Sequence, residues 1–440
     1  MHMRVYLILM KQSVLLLSVV IALTMSALAQ TPKELAESWD KHHIATKFPS
    51  DARHADLKIY VEKLRQLGVS VSEVGRSFEG REIYQMQFGK GPLKVFMWSQ
   101  MHGDEPTATS TLVDMFAFFQ QNRNLPWVKE LEEKLTIRAV PMLNPDGAEV
   151  YKRYNAQNLD INRDARNLTS PEARLLKQLR DQWQPAIGFN LHNQRELTTV
   201  GNAPRQAAIS LLVVYGDAEK TPSDGHSRNE RIAATMVKAL NEFIPGYIGR
   251  YGDEWTPTAF GDNFSAWGTP VILVETGALH GKDEKFLVKM NFVAYLTALR
   301  SIVTGSERQQ DPNLYILLPE NGSGSLVNYV FRGGGIVKSD GSVTFGDVSV
   351  ITQRRRASYL QSNVISVVGN IGKVRGLEEY DASQFNIVQR LGQMQSGKAA
   401  EFYFFKKDRV IDWKTLDINV TKPDAVFSFG KWPVGSVQRK

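Results

Sequence analysis

The chain has 440 residues, more than one hydrophobic core usually holds, so more than one domain is expected. Its 42% hydrophobic and 22% charged residues form an ordinary globular balance, which excludes a disordered, collagenous or polytopic membrane protein. Cysteine is absent, which excludes disulfide frameworks, thiolate metal sites and cysteine nucleophiles, and leaves any metal to His, Asp or Glu. The net charge of +7 is spread along the chain, and no basic helix or RNP-like aromatic pattern points to nucleic acid.

Residues 1–29 read as an export signal. Arg4 and Lys11 supply a positive start, and an apolar run over 14–28 follows, short for a membrane span and interrupted by Ser and Thr. Ala27-Leu28-Ala29 then offers a small-x-small cleavage pattern before Gln30. No other segment approaches spanning length, so the mature protein is expected to be periplasmic or secreted, with no stable membrane insertion.

Residues 33–67 carry a helical pattern, with Ile59, Leu64 and Leu67 spaced for one face. Runs at 71–74 and 83–88 flank Glu79-Gly80 as a hairpin would. Run 95–99 predicts a buried strand ending at Met101-His102-Gly103, and Pro106 opens a helix over 108–119. Run 135–141 predicts a second buried strand, closed by the turn signal Asn144-Pro145-Asp146-Gly147. Ser170 is placed to cap a helix over 171–182, and a strand over 186–191 delivers His192 at its end. A strand at 210–214, a helix at 229–243, a strand at 271–274 and a long helix at 286–304 continue the alternation. This order predicts an α/β domain over 30–304, with a mixed, largely parallel sheet and helices on both faces.

After Gly305 the texture changes. Short apolar runs at 327–331, 348–352, 364–368 and 400–405 are separated by Asn321-Gly322-Ser323-Gly324 and Gly333-Gly334-Gly335, which predicts a smaller, mostly β domain over 305–440. Arg354-Arg355-Arg356 reads there as a solvated strand face, and no internal repeat or low-complexity tract occurs.

The chemistry concentrates at predicted strand ends, where open α/β sheets bind ligands. In His102-Gly103-Asp104-Glu105 an imidazole and a carboxylate three residues apart can face one metal ion. His192 follows a second strand and Glu275 a third. Singly, each reads as a buried imidazole or a solvated strand end; together they are hard to credit to chance. A polar block over 152–164 holds Arg153 and Arg163, with Asn162 beside the second, a pattern suited to bidentate grip of an anionic terminus.

These residues resemble the zinc metallocarboxypeptidase family, the funnelins. The family pattern is H-x-x-E, an Asn-Pro-Asp-Gly turn, an Arg followed by Asp-x-Asn-Arg, a distal His and a catalytic Glu, and all five occur here in order. The resemblance implies one Zn2+ held by His102, Glu105 and His192 with water in the open position. It implies Asp160 as the carboxylate that orients the first zinc histidine, Arg153 as the group that polarises the scissile carbonyl, and Glu275 as general base and acid. Asn162 and Arg163 would grip the free C-terminal carboxylate of a peptide substrate. Ungapped matching puts Trp255 at the place of the family's capping tyrosine; Tyr251, taken here for that role, needs a small shift, as does Tyr247. Asp262 falls where some members set specificity and would favour a basic side chain, and residues 30–60 are too short for an inhibitory prodomain.

The expected activity is zinc-dependent removal of a C-terminal residue from peptides, cell-wall stem peptides included. Two alternatives stay open: a deacylase of N-acyl amino acids on the same site, and a non-catalytic binding protein. Nothing in the sequence specifies an oligomeric state.

Overall fold

The computed structural model describes residues 30–354 and 361–439; the export signal expected over 1–29, and Arg355 and Arg356, lie outside the described residues. Where one helical stretch was expected, two helices stand: α1 (Pro32–His42) and α2 (His54–Gln66). Between them Pro49, which has no N–H to donate, opens only a single 3-10 turn. Thr31 and Glu34 close the start of α1 with a reciprocal capping box.

The central sheet is mixed and has eight strands. They are β1 (Ser70–Arg76), β2 (Glu82–Gly89), β3 (Leu93–Ser99), β4 (Leu135–Val140), β5 (Ile187–Asn193), β7 (Ile209–Val214), β8 (Ile248–Arg250) and β9 (Val271–Thr276), in the order β1-β2-β4-β3-β5-β9-β7-β8. The expected hairpin is β1–β2, and the inner pairs β4–β3, β3–β5 and β5–β9 are parallel. A two-residue strand β6 (Thr199–Val200) stands apart.

Alternation divides the inner strands between two apolar layers. Phe189, Leu191, Ile272 and Val274 face a layer that includes α3 (Thr107–Gln121), α7 (Asp224–Leu240) and α9 (Glu284–Thr304). Phe96, Trp98, Val271 and Leu273 face the other, under α6 (Pro171–Trp183) and α8 (Phe260–Ala266). There Trp98 packs on Phe264 with ring centroids 4.4 Å apart. Sequence reasoning passed over α4 (Pro126–Lys134) and α8. It also read Asn144–Gly147 as a plain turn, whereas Pro145 starts α5 (Pro145–Glu149) with Asn144 as its cap, accepting from Gly147 N at 2.8 Å.

One helix corrects the expectation about spanning length. α9 has 21 residues, and its most apolar 18-residue window has a mean hydropathy of 1.4, enough to cross a membrane by length and composition, yet 78% of that window is buried inside the protein. It packs on α1, α3 and α7, so its apolarity is that of a central core helix.

Beyond α9 the chain first returns to the α/β unit. α10 (Asn313–Ile316) buries Tyr315, whose hydroxyl accepts from Val213 N at 2.8 Å, and β10 (Asn321–Gly322) pairs with β6. Asn321-Gly322, expected as a separator, is thus a short strand. The second sheet begins at β11 (Leu326–Val337). It continues through β12 (Val343–Arg354), β13 (Gln361–Gly369), β14 (Arg375–Asp381), β15 (Phe385–Gln389), β16 (Phe402–Lys406), β17 (Ala425–Ser428) and β18 (Lys431–Val434). Gly333-Gly334-Gly335 lies inside β11, where pairing with β12 slips between Phe331 and Gly334; glycine here marks a bulge and not a loop. Phe331, Phe402, Phe404, Phe427 and Trp432 form the aromatic centre of this sheet's core.

Candidate active site

Strands β3, β5 and β9 are consecutive parallel neighbours, so their carboxyl ends open on one side of the sheet. His192 and Glu275 are register partners inside β5 and β9, one residue short of each strand's end. After β3 the chain turns through Gln100, held at φ 50°, whose side chain donates to Gly103 O at 3.0 Å and accepts from Thr109 Oγ1 at 2.7 Å. At Gly103 a Cβ would lie 2.0 Å from the carbonyl carbon of Gly147, so only glycine lets the two loops meet. Asn144 completes the joint, donating to Met101 O at 3.2 Å and Arg153 O at 3.3 Å. Sequence reasoning missed this role of Asn144; the turn signal was legible, its partners were not.

The three expected metal ligands converge. His102 Nδ1 lies 2.8 Å from Glu105 Oε1 and His192 Nδ1 lies 2.7 Å from Glu105 Oε2, and the donor atoms all fall within 4.8 Å of one another. Asn193 N also donates to Glu105 Oε2 at 3.1 Å. On its far side His102 Nε2 meets Asp160 Oδ1 at 3.1 Å, which orients the ring. Asp160 further accepts from Asn162 N at 2.9 Å and, through Oδ2, from Arg153 Nε at 3.0 Å and Nη2 at 2.8 Å. One carboxylate therefore ties together a metal-site histidine, an arginine and the loop bearing Asn162 and Arg163.

The electrostatics suit a cation. Burial alone would lower the basicity of His102, but Glu105 and Asp160 outweigh it and raise the imidazole to about 9. Burial likewise opposes charge on Glu105, yet the two imidazoles hold it well below the usual carboxylate range. For Glu275, burial and then the charge of Glu105 push the carboxyl well above its ordinary value. Its Oε2 is buried without a hydrogen-bond partner, as is His192 Nε2. Two imidazoles and a carboxylate converging at one point, beside a second buried carboxyl, form a donor set that a zinc ion fits.

The remaining expected residues line the same cavity, of about 840 Å³. Arg153 Nη1 points toward the metal cluster, 3.2 Å from His102 Nδ1. Asn162 accepts from Phe260 N at its amide oxygen at 3.0 Å, so what it can offer a ligand is its NH2 donor. Arg163 is exposed to the cavity, its Nη1 on Asn162 O at 2.9 Å. Tyr251 and Trp255 both line the cavity, and Glu275, ahead of burial, makes the Tyr251 phenol harder to ionise. Asp262 is held mainly by burial at about 6, against the pull of Thr256 N and Arg163. Leu212, Val214 and Leu273 supply apolar wall. Gln194, Ser210 and Asn321, which sequence reasoning did not single out, also belong to the cavity's surroundings.

Fold and site together define an α/β protein with a His–Glu–His metal centre at the carboxyl ends of parallel strands. Residues 61–253 match the model of the zinc carboxypeptidase family, a family that uses zinc, and the cluster of His102, Glu105 and His192 offers a donor set for that metal. Among curated proteins, "Probable carboxypeptidase 2" of Arthroderma benhamiae is 32% identical over 185 residues, 42% of this chain and 33% of that protein. Carboxypeptidase Z of Homo sapiens is 32% identical over 123 residues, 23% of this chain and 19% of that protein. The chain thus spans a third or less of the length of these relatives. A solved metallo-carboxypeptidase from Burkholderia cenocepacia overlays with a TM-score of 0.46 at 17% identity, over 57% of this chain and 69% of that one. One from Pseudomonas aeruginosa, in complex with (2-guanidinoethylmercapto)succinic acid, gives 0.45 at 20% identity over the same shares.

Proposed function

We propose that this chain is a metallocarboxypeptidase, removing the C-terminal residue of peptides with Glu275 as general base. The observation that carries this reading is the convergence of His102, Glu105, His192, Glu275, Arg153 and Arg163 on one cavity. His102, Glu105 and His192 would hold zinc, which when bound would supply Lewis acidity that lowers the pKa of water toward ~7 and polarises a carbonyl. Glu275 takes the proton of the attacking water and returns it to the leaving amine, a role suited to a carboxyl whose proton affinity burial has raised. Arg153 donates to the oxygen that becomes negative as the carbonyl turns tetrahedral. Arg163 and the Asn162 amide bind the terminal carboxylate, Tyr251 covers the bound residue, and Asp160 orients His102 and Arg153 together.

The departing side chain would sit against Leu212, Val214 and Leu273 with Asp262 within reach, which favours an apolar stem ending in an amine or guanidinium. Ordinary peptides and cell-wall stem peptides bearing a free amine both meet that description; a strict need for a D-centre or diaminopimelate would select the wall. The sequence features over 1–29 support export to the periplasm or the medium, which N-terminal sequencing of the exported form checks. The division expected at 304/305, into a catalytic unit and a β-rich accessory unit, is part of the same proposal with its boundary moved past Gly322, because α10 and β10 pack on the α/β unit.

The test is hydrolysis of a peptide panel varied at the C-terminus, with metal content measured before and after chelation. The expected result is zinc-dependent release of single C-terminal residues and no turnover of C-terminally amidated peptides. Turnover of N-acyl amino acids alone would select the deacylase, and indifference to chelation would refute both.

A further inference from the structure

The strap Pro319–Gly322 crosses back over the α/β unit and is bonded to it along its length. Arg250 N donates to Pro319 O at 2.9 Å, Gly201 N donates to Glu320 O at 2.7 Å, and β10 pairs antiparallel with β6. The fit is close: a Cβ on Gly322 would lie 2.2 Å from Gly201 O, and one on Gly249 would lie 2.5 Å from Asn321 Oδ1. At its centre Asn321 closes a ring of three side chains. Asn321 Nδ2 donates to Gln194 Oε1 at 2.6 Å, Gln194 Nε2 donates to Ser210 Oγ at 3.0 Å, and Ser210 Oγ donates to Asn321 Oδ1 at 2.7 Å. Each amide and the hydroxyl both gives and accepts within the ring, so no member can turn without breaking two bonds.

The ring sits beside the reacting groups. Ser210 is the register partner of Glu275 across β7–β9. Gln194 lies two residues beyond His192, and its backbone N–H bonds Thr276 O at 2.9 Å, directly after Glu275. Asn321 and Gly322 line the same cavity as the metal cluster. We propose that Asn321 is a positioning residue: reaching in from the segment after α9, it fixes the strand end of His192 against that of Glu275. The unit over 30–304 is then incomplete without the strap. This rests on the metallocarboxypeptidase reading, since it concerns the relative placement of Glu275 and the metal cluster.

The test replaces Asn321 by leucine, which keeps the branched outline and removes both bonds, and Ser210 by alanine, which cuts the ring elsewhere while leaving the strap's backbone pairing intact. Full-length zinc-loaded protein is used throughout. The expected result in each is unchanged zinc content, a fall in kcat of about tenfold to a hundredfold, and KM within about threefold of the parent. In the double variant the losses do not add, because either change opens the ring. Amide exchange in peptides covering 192–198 is expected to quicken whether or not a peptide is turned over, which separates this inference from the assigned activity. If the parent hydrolyses no peptide, the metallocarboxypeptidase reading fails and the exchange result still decides the ring. If Asn321→Leu does not fold, Ser210→Ala decides. Parental kcat together with parental exchange in a folded ring variant overturns the inference.

Discussion

Asp160→Asn tests the electrostatic design with almost no change of shape. Asp160 Oδ1 accepts from Asn162 N at 2.9 Å and meets His102 Nε2 at 3.1 Å, while Oδ2 accepts two hydrogen bonds from Arg153. An asparagine offers one oxygen and one NH2 group. With the NH2 in the Oδ2 place it faces the two Arg153 donors; in the Oδ1 place it faces the His102 N–H and the Asn162 N–H. Either orientation leaves at least two donors without an acceptor, and one of the two carboxylates that keep His102 basic, the other being Glu105, loses its charge. A charge-assisted bond of this kind is worth about 1.5–3 kcal/mol. Loss of a carboxylate behind a metal-binding histidine costs roughly 10- to 100-fold in metal affinity, or about 1.4–2.7 kcal/mol, so the two figures agree in scale. Competition against a graded series of chelators measures this directly. Zinc affinity equal to that of the parent would refute the argument, because it would mean that Asp160 orients nothing.

Glu275→Gln should retain zinc while kcat falls by at least ~10²-fold, which rapid-quench turnover and metal analysis measure side by side; retained turnover would place the base elsewhere. Arg163→Ala should raise KM for peptides with a free terminal carboxylate while leaving zinc content unchanged, and an equal effect on amidated peptides would remove its assigned partner. Asp262 titrates at about 6, above the ordinary aspartate value, so its charge is present above that pH and lost as pH falls through it. KM for peptides ending in Lys or Arg should therefore rise below pH 6, KM for those ending in Leu should not, and Asp262→Asn should abolish the difference.

Fold was legible wherever burial imposed a period on the sequence. Run 95–99 and the strand at 271–274 are apolar stretches, the helix at 286–304 is dense in apolar residues, and the structure shifts their bounds by a residue or two. The misses have local causes. α4 is only nine residues long and opens at Pro126 directly after the polar segment Asn122–Asn124, so its apolar face is too brief to stand out. β14, β17 and β18 are similarly short or carry charges, and their existence depends on partners distant in the chain.

At the site, legibility follows the source of the constraint. His102 with Glu105, and Asp160 with Asn162 and Arg163, are neighbours in sequence, so their spacing was visible before any fold was known. His192 and Glu275 were found because a strand delivers each to a common edge. Asn321 was not, since nothing within the segment 319–324 hints at Ser210, more than a hundred residues earlier; only the return of the chain after α9 brings them together. Tyr251 marks the boundary between these cases. Ungapped matching favoured Trp255, because it assumes a fixed path through the intervening loop and α8. The structure ties Tyr251 down instead: its N–H donates to Leu211 O at 2.9 Å, extending the β7–β8 pairing by one residue, whereas 251–256 after it has no regular structure. We propose Tyr251 as the cover of the bound residue because it lines the cavity from a position fixed at a strand end.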